Sequence, residues 1–198
     1  MRLEGEPGIV ASYGRVMYLS EIGEHALLQF PDKTLKIVAI ASGATLYDAS
    51  STTISINVAE LGTHPAEEQC ATLCHETFHF FHDMLDPPNF RRRNTLSSRD
   101  FDTEEEELTI TGTCPSVRDD AWDHSLFNEN AVLRDRGLPE RTSHLSREEE
   151  EERKSGERPT VVSTVVEIPM AQPRGQIPAH VMARLQRKTS AKRTGTHE

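Results

Sequence analysis

Over residues 52–60, TTISINVAE, apolar Ile54, Ile56 and Val58 alternate with Ser55 and Asn57. A period of two predicts a half-buried β-strand. The preceding run, KTLKIVAIAS at 33–42, is continuously apolar and β-branched. It predicts a buried strand that pairs with its successor across SGATLYDASS. Further upstream, residues 8–30 mix apolar and polar positions, and GEHALLQF predicts a short helix.

Beyond residue 63 the period lengthens. Ala71, Cys74, Phe78, Phe81 and Leu85 recur at spacings of three and four, the stripe of an amphipathic helix. Thr63 is its expected cap, Pro65 its first helical position, and Glu67 and Glu68 complement the dipole at its start. Pro87 and Pro88 stop it. A second helix is expected at DTEEEELTITG, where Thr103 and Glu106 make a capping-box pattern and Gly112 ends the run. After residue 145 the pattern gives way to SREEEEERKSGERP, a solvated charged run. The chain therefore divides into a domain at 1–145 and a charged tail at 146–198. Within the tail TVVSTVVEI could form a strand and PAHVMARLQRK a short helix, with a basic end around Arg184, Arg187, Lys188, Lys192 and Arg193.

Composition narrows the function classes. A chain of 198 residues suits one domain, and 35% hydrophobic residues cannot bury all of it. A net charge of −10 repels phosphate backbones, which argues against a nucleic-acid partner. Three cysteines, Cys70, Cys74 and Cys114, do not make a disulfide framework and read as free thiols in a reducing compartment. No run approaches the roughly 20 apolar residues of a membrane span. The first residues, MRLEGEPGIV, lack the order of a secretory signal, a signal that an injected protein does not need.

The chemistry concentrates in CHETFHFFHD. His75 and His79 lie one helical turn apart and project from one face, so both imidazoles can reach one Zn²⁺ at about 2.0–2.1 Å. Glu76 follows the first histidine and is placed to take a proton from metal-activated water. These histidines and His82 fall opposite the apolar stripe, where the plain alternative is a set of surface histidines. His82 is expected outside the ligand set. The third ligand is expected from Glu104 to Glu107, of which at most one or two can face one ion. Cys74, on the apolar stripe, is better explained as packing than as a nucleophile.

HETFH, then EELTITG at 106–112, then NENAVLRDRGLPERTSH at 128–144, resemble the NleD-like effector metallopeptidases of bacterial pathogens. The second block also resembles the Glu-Glu-Leu segment of clostridial neurotoxin light chains, whose second glutamate binds zinc. The resemblance implies an α+β, zincin-like metallopeptidase domain with a small sheet beside the metal-binding helix. It implies one Zn²⁺ held by His75, His79 and Glu107, with Glu106 as the runner-up that could exchange roles. Glu76 would be the general base. Glu129 and Asn130 would hold their segment and Arg134 would fix the turn. Arg141 would lie near the scissile carbonyl or brace the site. His144 stands where the family has tyrosine, and an imidazole donates a hydrogen bond with a different reach and pKa. The implied activity is that of a zinc endopeptidase delivered into a host cell by a secretion system. Its partner would be a host signalling protein, by analogy a mitogen-activated protein kinase cut in its activation loop, and the enzyme would be a monomer. The other reading is a zinc-binding interaction module with weak or no catalysis. RRRN at 91–94 is expected as a solvated loop that could touch acidic substrate.

Overall fold

A computed structural model describes residues 1–117 and 124–144; the rest, including the strand and helix expected in the tail, lies outside the described residues. The described residues form a mixed α+β fold. In chain order the elements are β1 (Arg2–Gly5), α1 (Pro7–Met17), α2 (Glu21–Leu28), β2 (Thr34–Ile40), β3 (Leu46–Asp48), β4 (Thr53–Asn57) and α3 (Val58–Leu61). There follow α4 (Ala66–Leu85), α5 (Pro87–Arg93), β5 (Ser97–Ser98), β6 (Asp102–Thr103), α6 (Glu104–Thr111) and α7 (Glu129–Asp135).

The main sheet has the order β1-β2-β4-β3. The two strands expected from the sequence do pair, Ile37 opposite Ile54, but they run parallel. SGATLYDASS supplies the reason. It carries β3, which lies on the far side of β4 and runs antiparallel to it, Tyr47 opposite Ile54. β4 is thereby inserted between its two predecessors. β2 proves half-buried rather than wholly buried: Leu35 and Ile37 turn into the core while Lys36 faces solvent. The alternation at 52–60 stops at Asn57, whose side chain accepts the Glu60 N–H and starts α3.

The sheet buries one face against α4. That helix begins after Pro65, not at Thr63, whose hydroxyl donates to the Glu60 carbonyl at 2.7 Å and closes the preceding turn. Its expected stripe is buried from Ala71 to Phe81, and Leu85 emerges at the end. The opposite face is buried too. Phe80 packs edge-on against Tyr47 and Phe30, while Phe78 and Phe81 meet Phe127 on the other side. His75, His79 and His82 therefore lie inside the protein rather than on a solvated face. Thr77 lies there also, its hydroxyl paired with the buried Tyr13 hydroxyl of α1.

Pro87 starts α5 directly after α4, so RRRN belongs largely to a helix and Arg93 is buried. The β5–β6 hairpin leads into α6, where Thr103 accepts the Glu106 N–H as expected. Gly112 ends α6 with a left-handed φ of 78°. Among the described residues all three cysteines are free and buried. No helix there is long and apolar enough to cross a membrane.

A Cβ at Gly112 would lie 2.5 Å from the His124 carbonyl oxygen and 2.7 Å from Asn128 Nδ2, besides the cost of its φ. Gly112→Ala is therefore expected to lower the unfolding free energy by more than about 1 kcal/mol. Urea denaturation checks this, and an unchanged midpoint would contradict the close approach of α6 to the start of α7.

Candidate metal centre

One turn of α4 brings the two rings together: His75 Nε2 and His79 Nε2 are 3.0 Å apart. α6 crosses beside them and lays the Glu106 carboxylate over the pair, Oε2 at 3.1 Å from His75 Nε2 and Oε1 at 3.3 Å from His79 Nε2. Ligands at 2.0–2.1 Å from a tetrahedral ion are separated by about 3.3 Å, so these spacings match the edges of such a polyhedron.

The other nitrogen of each ring is committed. His75 Nδ1 donates to Glu129 Oε2 at 2.8 Å, and His79 Nδ1 donates to Glu105 Oε1 at 3.2 Å. With Nδ1 carrying the proton, each neutral ring turns a bare lone pair toward the other and toward Glu106. Glu106 Oε2 is buried and accepts no hydrogen bond. Unscreened lone pairs and a carboxylate converging on one space repel each other, and positive charge relieves that repulsion. A divalent ion with affinity for imidazole and carboxylate fits this donor set. The outer carboxylates fix tautomer and orientation, the usual support of a ligating histidine.

The protonation tendencies say the same. Burial opposes charging His75, but the Glu106 and Glu129 carboxylates outweigh it and hold the pKa up at about 9. Burial likewise opposes charging His79, and Glu106 and Glu105 outweigh it. Burial works against the Glu106 carboxylate, yet the two histidines hold its pKa well below the usual range. Glu76 differs. Its burial dominates and raises its pKa, while nearby His75, His79 and the Tyr47 N–H act the other way. That amide, on β3, donates to Glu76 Oε2 at 2.6 Å. Tyr47 also anchors β3 to α4 by donating its hydroxyl to Asp83 Oδ2 at 2.8 Å.

Glu107, expected as third ligand, is placed elsewhere: it accepts from Ser98 Oγ at 2.8 Å. The reason is helical rotation. α6 packs inward through Glu105, Leu108 and Thr109, and at 100° per residue Glu107 points away from that face. Glu106, the runner-up, is the residue brought to the histidines. Glu105, not singled out in the sequence, is fully buried and receives Arg93 Nε at 2.6 Å on its second oxygen. It also takes His82 Nδ1 at 2.5 Å. His82 thus sits behind His79, with Nε2 at 3.1 Å from His124 Nδ1 and its pKa lowered by burial. His79, His82 and Glu105 form a second cluster with metal-ligand spacing. The Arg93 guanidinium already neutralises its carboxylate, so the first cluster is the better cation site.

The C-terminal segment closes the mouth. Arg141 donates Nη1 to both Glu129 oxygens, at 3.0 and 3.1 Å, and so braces the carboxylate behind His75. Asn130 holds Arg141 by exchanging two hydrogen bonds with its backbone, at 2.8 and 2.7 Å. Arg134 lies outside the centre, paired with Glu140 on the surface. His144 reaches the centre itself, with Nε2 at 3.4 Å from Glu106 Oε2.

Two measurements check this arrangement. Glu106→Gln is expected to weaken zinc binding by at least the roughly 10–100-fold seen on losing an outer-shell partner, whereas Glu107→Gln should stay close to wild type. Competition with a chelating indicator reads both, and the reverse ranking would restore Glu107. Protons compete with the metal for His75 until its pKa of about 9 is passed. Zinc affinity should therefore climb as pH rises from 6 to 9 and fall on acidification, and a flat profile would contradict a His75 ligand.

Comparison with protein-family models, curated proteins and solved structures finds no match to this chain.

Proposed function

We propose that the protein is a zinc-dependent endopeptidase. The carrying observation is the set His75 Nε2, His79 Nε2 and Glu106, all within 3.0–3.3 Å of one another, with the Glu76 carboxylate in electrostatic reach of all three. Three protein ligands leave one position for water or substrate, the stoichiometry of a catalytic rather than a structural zinc site. A bound Zn²⁺ supplies Lewis acidity and brings the pKa of a coordinated water near neutrality.

The side chains divide the remaining work. His75, His79 and Glu106 hold the ion, and Glu129 and Glu105 hold the rings. Glu76 takes the proton. Its elevated pKa suits a general base, because a carboxylate too acidic retains a proton poorly. The Tyr47 N–H fixes one Glu76 oxygen and leaves the other for the proton. β3 is the outer strand of the sheet, and it passes Glu76. The burial of the base, the rings and Glu129 keeps bulk water from competing for these hydrogen bonds.

The zincin-like, NleD-like resemblance supports the same reading, and with it an injected effector that acts on a host signalling protein. His75, Glu76 and His79 lie in the motif, and Glu129 and Arg141 come from the third block of the resemblance.

The test compares wild type with Glu76→Gln in a host-type lysate, using proteomics of new N-termini. Both proteins should carry about one zinc per chain. Wild type should generate new N-termini, and Glu76→Gln should lose roughly 10²–10⁴-fold in rate. Cleavage that persists in Glu76→Gln, or no cleavage by the zinc-loaded wild type, overturns the peptidase reading.

A further inference from the structure

His144 is held at one ring nitrogen and turned toward the centre with the other. Nε2 faces Glu106 Oε2 at 3.4 Å, and Nδ1 lies 2.7 Å from Asp102 Oδ2. The same design occurs twice deeper in the centre, where His75 and His79 rest Nδ1 on Glu129 and Glu105 and turn Nε2 toward Glu106. Three imidazoles thus share one construction, and the third stands at the half-exposed mouth.

Asp102 also has an unusual backbone. Its φ is 62°, the left-handed region that aspartate tolerates better than most residues. The Thr103 N–H reaches the Phe101 carbonyl at 2.6 Å, which closes a γ-turn around Asp102. The next residue, Thr103, caps α6, the helix that supplies Glu105 and Glu106. The hairpin also receives the His144 backbone, whose N–H donates to the Asp100 carbonyl at 2.9 Å. Held conformations of this kind cluster at functional sites, because surrounding contacts must over-determine them.

We infer that Asp102 is a positioning residue: by accepting the Nδ1–H of His144 it fixes the ring so that Nε2 meets whatever peptide occupies the mouth of the metal centre. This deepens the peptidase reading, on which its consequence for turnover rests. With its proton on Nδ1, the neutral ring offers Nε2 as an acceptor, and as a donor only once protonated, where the resembling family has a tyrosine hydroxyl. Neither Asp102 nor the pair follows from that resemblance. Without the carboxylate the ring of a half-exposed histidine is free to turn and to exchange tautomers.

The decisive measurement is the tautomer of His144 in the full-length, zinc-loaded protein, read from ¹⁵N–¹H correlations of the histidine rings. Wild type should show the Nδ1–H form of His144 with a slowly exchanging proton. Asp102→Asn keeps the residue type's tolerance of the left-handed turn and removes the charge; it should lose that signature while keeping its zinc. Asp102→Ala should behave alike, so misfolding of one variant leaves the other to decide. An Nε2–H tautomer in wild type, or an unchanged spectrum in both variants, overturns the assignment. In the cleavage assay the variants should lose on the order of tenfold in kcat with little change in KM. A loss confined to KM would place Asp102 in binding rather than in positioning. If the wild type cleaves nothing, the peptidase reading falls, and the tautomer measurement still decides the role of Asp102.

Discussion

The centre depends on one contact, the approach of two buried imidazole nitrogens to 3.0 Å with a carboxylate across both. Nothing apolar explains it. Burying three hydrogen-bonding groups against one another costs several kcal/mol unless each finds a partner. Here the partners come from different parts of the chain: Glu105 from α6, Glu129 from α7, and Arg141 from the segment beyond it. Two side chains of α4 thus draw their polar partners from three later parts of the domain.

α4 is able to carry them because it is enclosed. The aromatic contacts of Phe78, Phe80 and Phe81 point to both flanks and fix the rotation of the helix. An enclosed helix makes each polar pair stronger, since little water competes for it. It also makes each loss more severe. Arg93 and Glu105 show the balance: a guanidinium and a carboxylate are buried together, and removing one partner would leave the other uncompensated in the interior.

Much of this was legible in the residues, and the departures share a cause. The strands at 33–42 and 52–60, the helix from 66 to 85 and the cap at Thr103 follow from local periodicity and local chemistry. Strand direction does not. The parallel pairing of β2 with β4 arises because β3 takes the far side of β4, a tertiary choice invisible in a period of two. The histidines looked like a polar face because amphipathicity presumes solvent on one side, and here α6 and α7 cover that side. Glu106 and Glu107 were exchanged for want of rotation. The inward face of α6 runs through Glu105, Leu108 and Thr109, two of them polar, so its apolar residues alone do not reveal that Glu107 turns outward. Glu105 was visible only as one of the glutamates at 104–107, and Asp102 belongs to no motif; their roles exist only once α6 meets α4 and His144 meets the hairpin.

Charge counting around the centre explains why a divalent ion suits it. Glu105 is paired with Arg93, and Glu129 with Arg141, so both carboxylates behind the rings are neutralised. Glu106 and Glu76 have no such guanidinium partner among the contacts described, and together they carry two negative charges into a buried space. Protons on His75 and His79 can offset them, which is why both pKa values rise despite burial. A divalent cation offsets the same two charges while leaving the imidazoles neutral, as ligands must be. The pocket thus prefers two units of positive charge whatever their source. What the fold adds is a geometry that one ion could occupy. Both Nδ1 positions are already filled by carboxylates, and both Nε2 lone pairs are aimed at a single point.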